Sequence, residues 1–154
     1  MSEGGLGFSA ENVIIFGRSI GTGPASTFTK MFKPRATILM SAYTSIKSVA
    51  ANVAGRFLSN FIQAHFNNLE TMKQVSSPII FIHGNKDDLI LSEHSVTLFK
   101  TLQKQKEGNK DRNDLAFVDL CRIVLHDHMT HNDFNLKEDI LEPIRLFLKD
   151  IDAS

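Results

Sequence analysis

The stretch Val13-Ile14-Ile15-Phe16-Gly17-Arg18-Ser19-Ile20-Gly21 decides how this chain is read. An apolar, β-branched run ends in a Gly-x-Ser-x-Gly box, and the box opens a segment of helical character, Thr22–Lys30. A strand ending in such a box carries the chain to the top of a sheet. The sharp turn after it then puts Ser19 at its apex with the hydroxyl exposed. Glycine is expected at both 17 and 21 because a side chain there would collide with neighbouring strand or helix backbone. The N–H of Ile20, at the N-terminus of the following helix, would point at an oxyanion developing beside Ser19. The box alone is weak evidence, since about one chain in twenty of this length carries it by chance. Its weight comes from the strand before it and the helix after it.

Composition sets the frame. The chain has 154 residues, enough for one domain with a real core, and residues 1–154 are read as a single domain. Seventeen Lys and Arg balance seventeen Asp and Glu, and no long run of one sign occurs, so nothing points to a nucleic-acid partner. The single cysteine, Cys121, excludes an intramolecular disulfide. It lies in an apolar run and reads as a small buried residue. No secretory signal is visible, and no apolar stretch approaches membrane-spanning length. A reducing, cytoplasmic location is the expectation.

Four short apolar runs read as buried strands: Val13–Phe16, Ala36–Met40, Pro78–His83 and Cys121–His126. Segments long enough for helices separate them, which indicates an α/β fold with a mostly parallel sheet covered on both faces. Helices are expected over Gly21–Phe32, stopped by Pro34, and over Ser45–Phe66, Ser92–Gln105 and Glu138–Lys149. In the last, Ile140, Leu141, Ile144, Phe147 and Leu148 should face inward. Pro143 fits there only within a first turn. Glu107–Asp114 reads as a mobile surface loop.

A nucleophilic serine needs a base, and the base needs a carboxylate to fix its tautomer. After the third strand comes His83-Gly84-Asn85-Lys86-Asp87-Asp88, where Asp87 and Asp88 are both candidate acids. Two solvated turn carboxylates would be the plain alternative. After the fourth strand comes His126-Asp127-His128-Met129-Thr130-His131-Asn132-Asp133. Its histidines invite a zinc reading, but the spacing of His128 and His131 lacks cysteines and a clear helix between them. A general-base histidine on a strand-end loop fits better.

Together these residues resemble the α/β-hydrolase superfamily, and more narrowly the intracellular serine hydrolases that include the α/β-hydrolase-domain depalmitoylases, or acyl-protein thioesterases. The stretches Asn12–Ala25 and Ser41-Ala42-Tyr43-Thr44-Ser45-Ile46 are similar to that group. So is Ile82-His83-Gly84-Asn85-Lys86-Asp87-Asp88-Leu89-Ile90, where the family pattern places the acid on Asp87. His131-Asn132-Asp133 resembles the segment that carries the base, which implies His131. The resemblance runs from about Gly7 to Leu148. Thr130 departs from the glycine or small residue usual before the base. The family fold has about eight strands with the elbow after the fifth, so the chain is expected to hold the C-terminal half of the fold. It would then lack the upstream loop that supplies a second oxyanion N–H. The edge of Val13–Phe16 would be unpaired.

What the resemblance implies is a serine hydrolase for esters or thioesters, with Ser19 as nucleophile, Asp87 as acid, His131 as base and Ile20 N–H as an oxyanion donor. It needs no cofactor and no metal. The implied partner is an acyl ester or thioester, such as an acylated protein, with peripheral association at membranes. The other expectation is a catalytically weak or inactive hydrolase-like fragment that serves as a binding module because the upstream oxyanion loop is absent; a missing N-terminal segment is also an expected partner.

Overall fold

A computed structural model describes residues 7–46, 66–108 and 116–154 of the chain. Four strands, β1 (Ile14–Arg18), β2 (Ala36–Met40), β3 (Ile79–Gly84) and β4 (Arg122–His126), form one parallel sheet in the order β1-β2-β3-β4. Each strand is an apolar run read from the sequence: β2 has the expected bounds, and the other three are shifted by one or two residues at one or both ends. β2 and β3 are buried along their whole lengths, as strands covered on both faces must be.

Side chains alternate between two cores. On one face Ile15, Leu39, Ile79, Phe81 and Ile123 pack against α1 (Thr22–Phe32), α2 (Asn68–Met72), α3 (Glu93–Gly108) and α4 (Phe117–Leu120). On the other face Ile38, Met40, Ile80, Ile82 and Val124 meet Met129, Phe134 and the C-terminal helix α5 (Glu142–Asp152). α5 leaves the β1 end of that face open. Phe16 is 52 % exposed and Ile14 44 %, on a strand whose other edge has no partner among the described residues.

α1 can lie close on the sheet because its inner positions are small: Gly23, Ala25, Ser26 and Thr29. The buried hydroxyls are satisfied within the helix, Ser26 donating to the Thr22 carbonyl (2.7 Å) and Thr29 to that of Ala25 (2.8 Å). The helix ends at Lys33 in the left-handed region (φ 50°), and Pro34 follows.

The C-terminal element differs from a plain helix over Glu138–Lys149. A π-helical turn, Leu136–Leu141, comes first, and Pro143 then sits in the first turn of α5, where its missing N–H costs nothing. The wider turn rotates the apolar stripe, so Leu141 is exposed while Ile140 and Phe147 are buried. α3 continues through Glu107 and Gly108, where a loop was expected. Most of the expected helix Ser45–Phe66 and the rest of the Glu107–Asp114 loop lie outside the described residues. The one-turn helices α2 and α4 have no counterpart in the sequence reading. Among the described residues no helix is long and apolar enough to cross a membrane.

Candidate active site

All four strands point the same way, so their C-terminal ends meet at one rim, and Ser19, Asp87 and His131 each follow a strand there. β1 ends at Arg18. Ser19 then turns into the left-handed region (φ 52°), and a short 3-10 turn, Ser19–Gly21, leads into α1. Only a few per cent of non-glycine residues adopt such a φ, and the surrounding structure must hold it. Gly17 is required: a Cβ there would lie 2.5 Å from the Ala25 Cβ and 2.7 Å from the Gly21 carbonyl oxygen. Gly21 corrects the expectation that both glycines avoid a collision. A Cβ at 21 would meet nothing within 4 Å, and its φ of −66° is ordinary. The steric demand instead falls on Gly23, where a Cβ would run into the Tyr43 hydroxyl and lie 2.7 Å from the Phe66 Cβ. Ile20 N–H lies in the first helical turn, where such groups have no intrahelical acceptor.

Asp87 is buried at 2 % exposure in the loop after β3, whereas Asp88 is exposed. Its Oδ1 accepts the backbone N–H groups of Leu89 (3.1 Å) and Ile90 (2.9 Å). Its Oδ2 lies 2.8 Å from His131 Nδ1 and 3.3 Å from His83 Nε2. Burial works to raise the pKa of this carboxyl, but the bonds from His83, the Ile90 N–H and His131 outweigh it. They hold the group well below the usual carboxylate range. His83 is itself fixed: its Nε2 donates to the Ile90 carbonyl (2.8 Å), and its Nδ1 accepts from the Ser95 hydroxyl (2.7 Å). His83 is thus part of the acid's support, a role the sequence reading did not assign.

His131 is 7 % exposed, and its Nε2 lies 3.0 Å from Ser19 Oγ. A carboxylate can only accept, so Nδ1 carries the proton toward Asp87 and Nε2 keeps its lone pair for the Ser19 hydroxyl. The turn that presents His131 is closed by Thr130, whose N–H donates to the Asp133 carbonyl and whose Oγ1 accepts the Asp133 N–H, both at 3.0 Å. The threonine that departs from the family pattern therefore shapes this turn and leaves His131 in contact with Ser19.

The other histidines of the loop face a different group. His128 Nε2 is 3.0 Å from Asp139 Oδ2, and His126 Nε2 is 3.0 Å from the Asp139 carbonyl. Asp139 is buried and also accepts the Asn135 N–H at 2.8 Å. Burial opposes ionisation of Asp139, but the bonds from Asn135 and His128 outweigh it and lower its pKa. Among the described residues no group of three or more His, Cys, Asp or Glu is placed to hold a metal ion. Cys121 is buried behind β3, with its sulfur accepting the Ile79 N–H at 3.4 Å. Burial pushes its thiol up to about 11, out of the range of a nucleophile at neutral pH.

Comparison with known proteins agrees with the fold. Human alpha/beta hydrolase domain-containing protein 17B is 34 % identical over 101 residues, which is 66 % of this chain and 34 % of that protein. Mouse alpha/beta hydrolase domain-containing protein 17C is 25 % identical over 142 residues, 92 % of this chain and 39 % of its own length. Among solved structures, uncomplexed Pyrococcus horikoshii acylaminoacyl peptidase superposes on 93 % of the chain with a TM-score of 0.66 at 14 % identity, using 24 % of its own length. The chain has an α/β-hydrolase-like fold, and its sequence is similar to α/β-hydrolase domain-containing proteins. The esterase domain of a Rhodothermus marinus protein matches 90 % of this chain with a TM-score of 0.60 at 15 % identity, over 59 % of that domain. No family model matches the sequence. The chain spans between about a third and two fifths of the length of the two hydrolase-domain proteins it matches.

Proposed function

We propose that this chain carries the nucleophile, base and acid of a serine hydrolase acting on esters or thioesters. The observation that supports it most is the continuous line Ser19 Oγ–His131 Nε2 (3.0 Å) and His131 Nδ1–Asp87 Oδ2 (2.8 Å). Ser19 Oγ attacks the acyl carbonyl while His131 Nε2 takes its proton, and Asp87 stabilises the imidazolium. The oxyanion is met by the Ile20 N–H, in line with the positive end of the α1 dipole. His131 then protonates the departing alkoxide or thiolate. Water, deprotonated by the same nitrogen, attacks the acyl-serine ester and releases the carboxylic acid and free Ser19.

The finer reading is a fatty acyl thioester on a protein. It rests on the resemblance to the depalmitoylase group and on the apolar side chains beside the site. Ile20, Leu89 and Leu91 are exposed on the two loops that carry Ser19 and Asp87, and they suit an apolar acyl chain. The test is labelling with a fluorophosphonate probe, followed by turnover of acyl thioesters of graded length. Labelling of the wild type and none of Ser19→Ala supports the assignment. Failure of the folded wild type to label sinks it. A binding module without catalysis is the second reading, favoured by the edge of β1, which has no strand partner among the described residues, and by its exposed Ile14 and Phe16. That reading requires the folded chain to stay unlabelled.

A further inference from the structure

The chain starts its site on one edge of the sheet and finishes it on the other. β1 and β4 are separated by β2 and β3, a distance of three strand spacings or about 14 Å. The loop that presents His131 must therefore cross the strand ends to reach Ser19. Its first half is tied to the loop after β3: Asn85 N–H donates to the His126 carbonyl (2.9 Å), Asn85 Nδ2 to Asp127 Oδ1 (2.8 Å), and Lys86 N–H to the Met129 carbonyl (3.1 Å). Its far end is tied to Asp139 through Asn135. The tip has a different anchor. Arg18 Nη2 donates to the His131 backbone carbonyl (2.5 Å) and to Asn132 Oδ1 (2.8 Å), and the guanidinium lies over the Phe134 ring, 5.7 Å from its centroid.

We propose that Arg18, the residue immediately before the nucleophile, is a positioning residue that clamps the His131 loop onto the end of β1. The inference rests on the proposed roles of Ser19 and His131. The clamp and the nucleophile belong to consecutive residues, so Arg18 fixes His131 in the same frame that fixes Ser19. Arginine suits the task because its planar head lies over the Phe134 ring while Nη2 donates both bonds, and a lysine ammonium has no planar face to offer the ring. Removing it leaves the tip, among the described residues, joined to the end of β1 through the imidazole alone, whose orientation then wanders. A misplacement of about 1 Å can lower the rate by roughly 10²-fold.

The experiment compares wild type, Arg18→Met, Arg18→Ala, Arg18→Lys and Ser19→Ala on the full chain. Fluorophosphonate labelling is read alongside hydrogen exchange. For Arg18→Met the expected result is labelling slowed about 10- to 100-fold. Hydrogen exchange should be faster over residues 130–134 and unchanged over β4. Arg18→Lys should recover only part of the rate. Millimolar guanidinium, but not sodium chloride of equal ionic strength, should restore labelling of Arg18→Ala. Wild-type labelling rates and wild-type exchange over 130–134 in Arg18→Met would overturn the clamp while leaving the hydrolase reading intact. If the wild type itself does not label, the hydrolase reading fails, and exchange over 130–134 still decides whether Arg18 holds the loop.

Discussion

Replacing Gly84 by alanine probes whether the strand ends set the position of His131. Gly84 closes β3, and a Cβ built on it would lie 2.5 Å from the Met129 carbonyl carbon and nearer still to its oxygen. Carbon atoms settle at 3.5–4.0 Å, so one of the two backbones must retreat by about 1 Å. β3 cannot retreat readily, because it is buried between β2 and β4 and covered on both faces. The movement falls on Met129, two residues before His131, and strains the Lys86 N–H bond to the Met129 carbonyl. Overpacking of this kind costs about 1–3 kcal/mol of stability, which a urea titration reads directly. The shift carried to His131 should slow fluorophosphonate labelling by roughly 10²-fold per folded molecule. The labelling rate must be normalised to the folded fraction at each urea concentration. If the stability falls as stated while the normalised rate equals that of the wild type, the 129–131 segment does not transmit position to the base, and the reasoning is refuted.

Further outcomes follow from the same geometry. Asp87→Asn keeps the shape of the loop but can leave His131 in the wrong tautomer, and labelling should fall by about 10³–10⁴-fold. The Asp87 carboxyl is held below its ordinary range in the folded chain, so its contribution to stability is fully present above about pH 4. It is lost as pH falls further. Urea midpoints measured from pH 7 down to pH 2 should decline less steeply in Asp87→Asn than in the wild type, and equal slopes would contradict the assignment. Gly21→Ala enters open space with a helical φ and should be neutral or stabilising by about 0.4–1 kcal/mol, while Gly17→Ala and Gly23→Ala should each destabilise by about 1–3 kcal/mol. Thermal melts of the three variants check the contrast.

β2 and β3 were legible because each is a largely apolar run, which burial on both faces tolerates, and β1 and β4 were legible from shorter apolar runs of the same kind. The loops after β1, β3 and β4 were legible as places where Ser19, Asp87 and His131 could meet, because parallel strands deliver their following residues to one rim. Other features depend on contacts that leave no local pattern. The π-helical turn at Leu136–Leu141 shifts the apolar stripe by a fraction of a turn, and a helical period of 3.6 then misplaces Leu141. α2 and α4 are too short to show any period. Gly21 and Gly23 look alike in sequence, yet only Gly23 faces Tyr43 and Phe66. Arg18 occupies a variable place within the box, and its partners lie more than a hundred residues away.

The distances along the chain also set an order in time. His131 lies 44 residues after Asp87 but 112 after Ser19. Closing the longer loop costs about 0.8 kcal/mol more in chain entropy, so the Asp–His half can form first. On a ribosome adding roughly 5–20 residues per second, Ser19 emerges about 6–22 s before its base has been made. During that interval it is an ordinary alcohol. Its reactivity therefore marks the end of folding, and recovery of labelling after dilution from denaturant would time the docking of the last strand.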